Sequence, residues 1–278
     1  MKGASRIDRL VALVRDTSAS LPDDVLAALH RAKRKETRGS SAAVVLQTIL
    51  DNCALAKKKG TPLCQDTGTL TFFVDERLRR RVTPRLLKDA VARATELGCL
   101  RKNTIDSVTG KSCDDNCAEG APVIHYVDRP GVTLLLKGGG SENMSRQYSL
   151  PDATLGAGRD LAGVRKCVLD AVQKIQGYGC APGILGVCIG GDRATGFEVA
   201  KEQLLRSLDD AADSSDLRGL EKRLLKEANG LGIGPMGLGG RTTLLGVKIA
   251  ARTRVPASFF VTVAYMCWAC RRRTIPMA

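Results

Sequence analysis

The hydrophobic pattern of the first 55 residues is helical. Apolar side chains recur on one face of the opening segment, at Ile7, Leu10, Val11 and Val14. Residues 21–24 (LPDD) are typical of a helix start, since proline suits the first turn and aspartates favour the positive end of the helix dipole. Residues 44–49 continue the pattern, so we predict a helical N-terminal part over about residues 1–55.

Strand signals dominate the middle of the chain. Residues 70–74 form a short β-branched and aromatic run that predicts a strand, and the Thr-Pro pair at 83–84 predicts the start of a helix. Residues 122–127 and 132–136 predict two further strands joined by a turn at DRPG. We therefore expect these two strands to pair as a hairpin.

Helices and strands alternate in the second half. The predicted elements are a helix over 160–176, a buried strand over 183–191, a helix capped by Asp192, a helix over 220–228, and two closing strands over 244–249 and 258–265. No linker or internal repeat interrupts this order. The pattern predicts a mixed α/β fold, with one compact domain over residues 1–278 and a mixed sheet flanked by helices.

Charge and hydropathy narrow the classes of function. The formal net charge of +14 suits an anionic partner, such as nucleic acid, a membrane surface, an anionic substrate or an acidic subunit. The basic residues are dispersed, and the arginine runs at 77–81 and 271–273 lack the interleaved aromatic residues of a surface that stacks single strands. Neither a secretory signal nor a membrane-spanning run is visible, so we expect a cytoplasmic protein with reduced thiols.

Three loops rich in glycine follow predicted strands. They are KGGGS at 137–141, GVCIGGD at 186–192 and GLGGRTT at 237–243. Such loops let a ligand approach the backbone closely, and a helix N-terminus that follows favours an anion. None matches a P-loop and no strand–GxGxxG–helix unit is present, which gives nucleotide binding little support. Any one of them could be a tight turn, but together, beside cysteines, they favour a site.

Ten cysteines in a reducing compartment point first to metal binding. One candidate set joins CDDNC at 113–117 with CWAC at 267–270, spacings that could form a tetrahedral zinc site. A second set takes Cys64, Cys180 and Cys267, because three thiolates from distant loops can hold a [4Fe–4S] cluster and leave one iron open as a Lewis acid. Spacing alone does not decide between the two sets.

Four longer motifs carry a family resemblance. They are LCQDTGT (63–69), LKGGGSENMS (136–145), GCAPGILGVCIGGDRATGFEVAKEQLLR (179–206) and LGIGPMGLGGRTTLLGVKI (231–249). In these motifs and over nearly its whole length, the chain resembles the α subunit of the iron–sulfur hydro-lyases, which are class I fumarate hydratase and L(+)-tartrate dehydratase. The resemblance implies an enzyme of the hydro-lyase class with a [4Fe–4S] cluster. It also implies that the cluster cysteines of that family correspond to Cys64, Cys180 and Cys267.

The same resemblance implies substrate and catalytic roles. Asp66 corresponds to a substrate-contacting aspartate of that family, and its place beside a cluster ligand suits it to transfer a proton or to orient the substrate hydroxyl. Gln65, Arg101 and Gly140 correspond to substrate contacts, Gly140 through its backbone. The other cysteines are then expected to be buried or incidental thiols, namely Cys53, Cys99, Cys113, Cys117, Cys167, Cys188 and Cys270.

The resemblance also implies a partner and a substrate class. Single-chain members of the family carry a second domain with further arginines, a lysine and a catalytic threonine, and the sequence up to Ala278 contains no counterpart of that domain. We therefore expect a separate β subunit, an α2β2 hetero-oligomer and a dicarboxylate substrate. Interconversion of fumarate and malate is the leading expectation, and conversion of tartrate to oxaloacetate is the alternative within the hydro-lyase class.

The alternative outside the hydro-lyase class is a zinc-stabilised nucleic-acid-binding protein.

Overall fold

Two four-stranded sheets organise the chain. The structure, a computed structural model, describes residues 5–277. Tertiary contacts divide these residues into two units, each assembled from separate stretches of sequence. The first unit contains residues 5–22, Asp51–Gly139 and residues 269–277, and the second contains Asp23–Leu50 and Gly140–Trp268.

The elements follow one another in mixed order. The helices are α1 (Arg6–Ala19), α2 (Asp23–Lys35), α3 (Ser41–Lys59), α4 (Pro84–Glu96), α5 (Gly139–Asn143), α6 (Leu161–Ile175), α7 (Arg193–Gln203) and α8 (Ser215–Gly230). The strands are β1 (Thr69–Asp75), β2 (Val123–Val127), β3 (Val132–Lys137), β4 (Arg146–Ser149), β5 (Gly183–Gly190), β6 (Leu244–Arg252), β7 (Phe260–Met266) and β8 (Arg271–Ile275). The predicted mixed α/β fold and the helical N-terminal part are confirmed.

The sheet of the first unit has the order β2-β1-β3-β8. β1 runs parallel to β2 and antiparallel to β3. The predicted hairpin of β2 and β3 is therefore wrong, although both strands exist. β1 is buried at every position after its first, whereas β2 is only half-buried along its length. β1, the more deeply buried strand, therefore lies between β2 and β3, and β2 forms one edge of the sheet.

A strand at the end of the chain was not predicted. β8 pairs antiparallel with β3, and its Arg271 lies opposite Leu136. The expectation that two strands close the chain is therefore wrong. β8 has the sequence RRRTI, whose first three residues are arginines. It therefore lacks the alternation of apolar and polar residues by which strands are predicted. Arg271 is nevertheless only 1% exposed, so this basic run is partly an interior strand.

The sheet of the second unit has the order β4-β7-β5-β6. β5 runs parallel to β6 and antiparallel to β7, and its eight residues are all buried. Asp192 caps α7 as predicted, since its Oδ1 accepts from the backbone N–H groups of Ala194 and Thr195. α8 begins at Ser215, earlier than predicted, and β4 was not predicted because its four residues are too few to show a period.

Each unit has its own apolar core. In the first, α1 and α4 pack with the sheet around Leu10, Leu87 and Leu134. In the second, α6 and α8 contribute Val168 and Leu224 to the core. The assignment of residues 1–278 to one catalytic domain stays a prediction. Within residues 5–277, the helices are all too short or too polar to cross a membrane.

The packing of β5 against α7 provides a stability test. A Cβ added at Gly186 would lie 2.0 Å from the backbone oxygen of Ala200, which a side-chain rotation cannot relieve. We expect Gly186→Ala to lower the free energy of unfolding by about 1–3 kcal/mol, the usual range for overpacking. Chemical denaturation of the whole chain measures the change.

The matched control is Gly219→Ala in α8, where the added Cβ meets no atom within 4 Å. That change should stabilise the protein by about 0.5–1 kcal/mol, because alanine is the better helix former. Equal stability of the Gly186→Ala variant and the unchanged protein would contradict the described contact.

Candidate active site

In the first unit, two hydrogen bonds to the backbone of Leu63 hold the segment that carries Cys64. The N–H of Leu63 donates to the carbonyl of Ser18 at 2.9 Å, and the side-chain amide of Asn52 donates to the carbonyl of Leu63 at 2.9 Å. These bonds hold the residue immediately before Cys64. The Cys64 side chain is half-buried and Gln65 is exposed, so both can reach a ligand.

Asp66 lies against the glycine-rich end of β3. A Cβ on Gly138 would stand 2.8 Å from Oδ2 of Asp66, so any side chain there would displace the carboxylate. Gly68 has a φ of +83°, and its Cβ would lie 2.7 Å from the carbonyl carbon of Lys137. The backbone therefore requires glycine at position 68, whereas glycine at position 138 leaves room for the Asp66 carboxylate. The two glycines let the turn after Cys64 approach the end of β3 closely.

Arg271 holds the backbone of the same aspartate. Its Nη2 donates to the carbonyl oxygen of Asp66 at 2.9 Å, and its side chain is almost fully buried. The sequence showed Arg271 only as one of a run of arginines, so its contact with Asp66 could not be predicted. Only the tertiary structure reveals this contact, because the contact depends on the pairing of β8 with β3 beside this segment.

Arg101 is tied to the same segment through its carbonyl group. That oxygen accepts from the Thr67 hydroxyl at 3.5 Å and from the Asn116 side-chain amide at 2.8 Å. The Oδ1 of Asn116 accepts in turn from the backbone N–H groups of Asn103 and Thr104. Asn116 is buried and organises the whole turn, a role that the motif CDDNC did not suggest. The Arg101 side chain is exposed.

A cavity of about 430 Å³ adjoins Asp66 in the first unit. Its walls include Asp66, Gly68, Asn103, Glu119 and Gly139. Asn103 and Glu119 were not predicted as site residues, and no spacing in the sequence singles them out. Polar walls with glycine backbone suit a small polar ligand.

Cys180 and Cys267 come together in the second unit. The N–H of Trp268, the residue after Cys267, donates to the carbonyl oxygen of Cys180 at 3.3 Å. The N–H of Cys267 donates to the Ser141 hydroxyl at 3.2 Å, at the start of α5. Cys180 has a φ of +51° and is exposed, while Cys267 is half-buried. Both predicted thiols are thus accessible on neighbouring loops.

Tyr265 lies close to both of these thiols. Its ring packs against residues 179–183, the loop that carries Cys180. Burial, followed by the charges of the Cys267 and Cys180 thiolates, raises the pKa of the Tyr265 hydroxyl well above its ordinary value. The hydroxyl is therefore a neutral donor, and its oxygen has no hydrogen-bond partner among residues 5–277.

Gly140 lies in the first turn of the short helix α5 and is exposed. A Cβ added there would meet no atom within 4 Å, so the space above its backbone is open. This is compatible with the predicted backbone contact to a substrate.

The remaining cysteines are mostly interior thiols. Those that are buried are Cys53, Cys99, Cys167, Cys188 and Cys270. Burial raises the pKa of Cys53 and Cys188 to about 11 and that of Cys167 to about 12. A raised pKa keeps a thiol protonated and unreactive at neutral pH.

The two cysteines of CDDNC are half-buried. The Sγ of Cys117 donates to the carbonyl oxygen of Lys88 at 3.3 Å. Burial, followed by the Asp115 carboxylate, raises the pKa of Cys117 to about 11. Among residues 5–277, no three Cys, His, Asp or Glu side chains gather around a single point as ligands of one ion. The zinc alternative gains no support from this geometry.

The fold and the site define a mixed α/β protein in which glycine-rich loops present a carboxylate and accessible thiols. A family model described as fumarate hydratase (fumerase) matches residues 7–276. The chain therefore belongs to the fumarate hydratase family, and the predicted family is confirmed.

Three relatives illustrate the range of this family. The chain is 49% identical over 269 residues to a Geobacillus stearothermophilus protein provisionally named class I fumarate hydratase, covering 94% of this chain and 52% of that protein. It is 33% identical over 276 residues to a Methanocaldococcus jannaschii protein provisionally named L(+)-tartrate dehydratase subunit alpha, covering 95% of each. It is 31% identical over 266 residues to L(+)-tartrate dehydratase subunit alpha of Escherichia coli K12, covering 93% of this chain and 86% of the subunit. The chain thus spans about half the length of the first relative and most of the other two.

Alkylation of the metal-free chain tests the distinction between the two kinds of thiol. At pH 8 we expect iodoacetamide to modify exposed Cys180 rapidly, and to leave Cys167 and Cys188 unmodified, because only thiolates react and the pKa values of these two lie far above pH 8. Peptide mass spectrometry identifies the labelled sites. Labelling of Cys167 or Cys188 at the rate of Cys180, in protein shown to be folded, would contradict the described burial.

Proposed function

We propose that this chain is the α subunit of a two-subunit [4Fe–4S] hydro-lyase that interconverts fumarate and (S)-malate. The observation that carries the proposal is the fixed position of Asp66, which follows Cys64 by two residues and forms a wall of the polar cavity. Membership of the fumarate hydratase family supports the reaction class. The cytoplasm is the proposed location, since the cluster requires reduced thiols.

The proposed cluster ligands are Cys64, Cys180 and Cys267. Their chemistry fits, because iron–sulfur clusters are held by thiolates, and none of the three is fully buried. The backbone bond between Trp268 and Cys180 keeps two of the thiols on adjacent loops. Such a cluster, held by three cysteines, supplies one iron that can act as a Lewis acid toward oxygen ligands.

Asp66 is the proposed proton-transfer or hydroxyl-orienting group. Its carboxylate packs on Gly138 and its carbonyl is held by Arg271, so the side chain has little freedom to turn away from the cavity. A fixed carboxylate is suited to general acid–base catalysis, which requires a group within hydrogen-bond reach of the proton that moves.

Arg101, Gln65 and Gly140 are the proposed substrate contacts. A guanidinium group binds a carboxylate through two parallel hydrogen bonds, and the exposed Arg101 side chain is available for this. The exposed amide of Gln65 and the open backbone of Gly140 add polar contacts without bulk.

Tartrate dehydration to oxaloacetate is a second candidate. The observation that favours it is that the relatives matched along 95% and 86% of their own length carry the name of tartrate dehydratase α subunits. Fumarate is preferred here, because the relative with 49% identity carries the fumarate hydratase name. The subunit names also support a separate β subunit, for which we propose an α2β2 assembly.

Metal analysis with matched variants tests the cluster. The chain is purified anaerobically with its β-type partner, and iron, zinc and turnover of fumarate, malate and tartrate are measured. We expect about four irons per chain. Cys64→Ser, Cys180→Ser and Cys267→Ser should each lose iron and activity, whereas Cys113→Ser should keep both. Stoichiometric zinc that disappears in Cys113→Ser, with no turnover after cluster reconstitution, would instead support the zinc-stabilised nucleic-acid-binding alternative.

Asp66→Asn tests the proposed role of the carboxylate. The substitution keeps the shape of the side chain and removes its charge and basicity, so kcat should fall by about 10²–10⁴ while the iron content is unchanged. The control is Asp89→Asn, at an exposed position on α4, which should leave kcat unaltered. A kcat within twofold of the unchanged enzyme would exclude proton transfer by Asp66.

A further inference from the structure

Tyr265 carries a hydroxyl group that the fold buries without a partner. Its side chain belongs to the core of the second unit and is 2% exposed. The hydroxyl oxygen is shielded from solvent and forms no hydrogen bond within residues 5–277. A buried hydroxyl without a partner is destabilising, and phenylalanine has nearly the same shape without that penalty. A hydroxyl in this position points to a ligand that supplies the missing acceptor.

The surroundings of Tyr265 leave its ring little freedom to turn toward solvent. A Cβ at Gly179 or at Gly183 would overlap the ring, so both glycines pack directly against it. The strand of Tyr265, β7, lies between β4 and β5, and the backbone N–H of Tyr265 donates to the Ser145 hydroxyl at 3.3 Å. Packing therefore sets the position of the Tyr265 hydroxyl, and an acceptor has to be brought to it.

Two of the proposed cluster ligands lie near this hydroxyl. The loop that packs on the ring carries Cys180, and Cys267 follows Tyr265 by two residues in the chain. Both thiols are close enough to act electrostatically on the hydroxyl. Neither sulfur accepts a hydrogen bond from it, since the hydroxyl has no partner in the described part of the chain. The acceptor is therefore expected to arrive with the group that these thiols bind.

An iron–sulfur cluster brings acceptors of the required kind. Its sulfides and its ligand thiolates are negatively charged sulfur atoms, and hydrogen bonds to these atoms are one of the means by which a protein sets the properties of the cluster. A tyrosine hydroxyl suits this role, because it donates one hydrogen bond without bringing a net charge into the core.

We infer that Tyr265 is a positioning residue of the cluster site, whose hydroxyl donates a hydrogen bond to a sulfur atom of the bound cluster. This inference rests on the proposed cluster, whereas the burial of the unpaired hydroxyl is a property of the chain itself. Such a bond draws electron density from the sulfur and so tunes the iron as a Lewis acid. Tyr265 acts through the cluster and does not need to touch the substrate.

Tyr148 offers a matched control in the same sheet. It lies on β4, which pairs with β7, and its hydroxyl donates to Oδ2 of Asp170 at 2.8 Å. Tyr265→Phe and Tyr148→Phe each remove one hydroxyl group from the second unit. Only Tyr148→Phe removes a hydrogen bond that exists within the chain, and only Tyr265→Phe removes the inferred bond to the cluster.

The reduction potential of the cluster tests the inference independently of turnover. The complex with the β-type partner is purified anaerobically, and the potential is measured by a redox titration followed by electron paramagnetic resonance. A hydrogen bond to sulfur favours the reduced cluster, which carries more negative charge. Tyr265→Phe should therefore lower the potential by about 59 mV, which is a tenfold change in a one-electron equilibrium. Tyr148→Phe should leave the potential unchanged.

An unchanged potential in Tyr265→Phe, with the iron content of the unchanged complex, would overturn the inference. An equal shift in both variants would also overturn it, because the effect would then not depend on the hydroxyl near the thiols.

Chemical denaturation of the whole chain without metal provides a second readout. Tyr265→Phe should unfold at the same denaturant concentration as the unchanged chain or at a higher one, because it removes an unpaired buried hydroxyl. Tyr148→Phe should unfold at a lower concentration, since Asp170 loses its donor. A loss of stability in Tyr265→Phe as large as that in Tyr148→Phe would show that the hydroxyl has a partner within the chain, and would overturn the inference.

Failure of the proposed function has a different signature. If the unchanged complex binds no iron after cluster reconstitution, the proposed cluster fails and the inference fails with it. If the complex binds about four irons and Tyr265→Phe keeps the potential, only the inference fails. Loss of iron from Tyr265→Phe, in a chain as stable without metal as the unchanged one, would support the inference, because the hydroxyl would then be needed only by the cluster.

Discussion

The close approach of the turn after Cys64 to the end of β3 is the constraint on which the candidate site depends. Gly68 and Gly138 permit it, because a side chain at either position would collide with backbone or with the Asp66 carboxylate. The hydrogen bond from Arg271 then fixes the peptide of Asp66. A proposed ligand and a proposed acid–base group, two residues apart, are thereby held by the same few contacts. Backbone packing at the two glycines and the buried side chain of Arg271 together set this geometry.

The pKa values of the buried thiols in this chain are raised by burial. Buried cysteines such as Cys167 and Cys188 have pKa values raised to about 12 and about 11, which keeps them protonated. Cys64, Cys180 and Cys267 are all partly or fully accessible. The same protein therefore contains inert packing thiols and accessible thiols, distinguished by their surroundings, and the accessible ones are those proposed to hold iron. A high cysteine count does not by itself indicate several metal sites.

The sequence predicted local features well and non-local ones poorly. Helix starts such as Asp192 before α7 were predicted because capping is a contact within a few residues. The pairing of β2 and β3 was predicted wrongly, because their proximity in sequence says nothing about β1 inserting between them. Cys64, Asp66 and Cys180 were chosen through family resemblance, whereas spacing left two cysteine sets open. Asn116 and Arg271 were missed, since their roles arise only when distant segments meet.

The central claim is that three cysteines of this chain hold an iron–sulfur cluster beside a fixed carboxylate. Anomalous diffraction at the iron edge, from crystals of the complex with its β-type partner grown without oxygen, tests it most directly. The account predicts iron within bonding distance of Sγ of Cys64, Cys180 and Cys267, one iron without a cysteine ligand, and the Asp66 carboxylate facing that iron. Metal bound instead by Cys113, Cys117, Cys267 and Cys270, or a cluster with a fourth cysteine ligand, would contradict it.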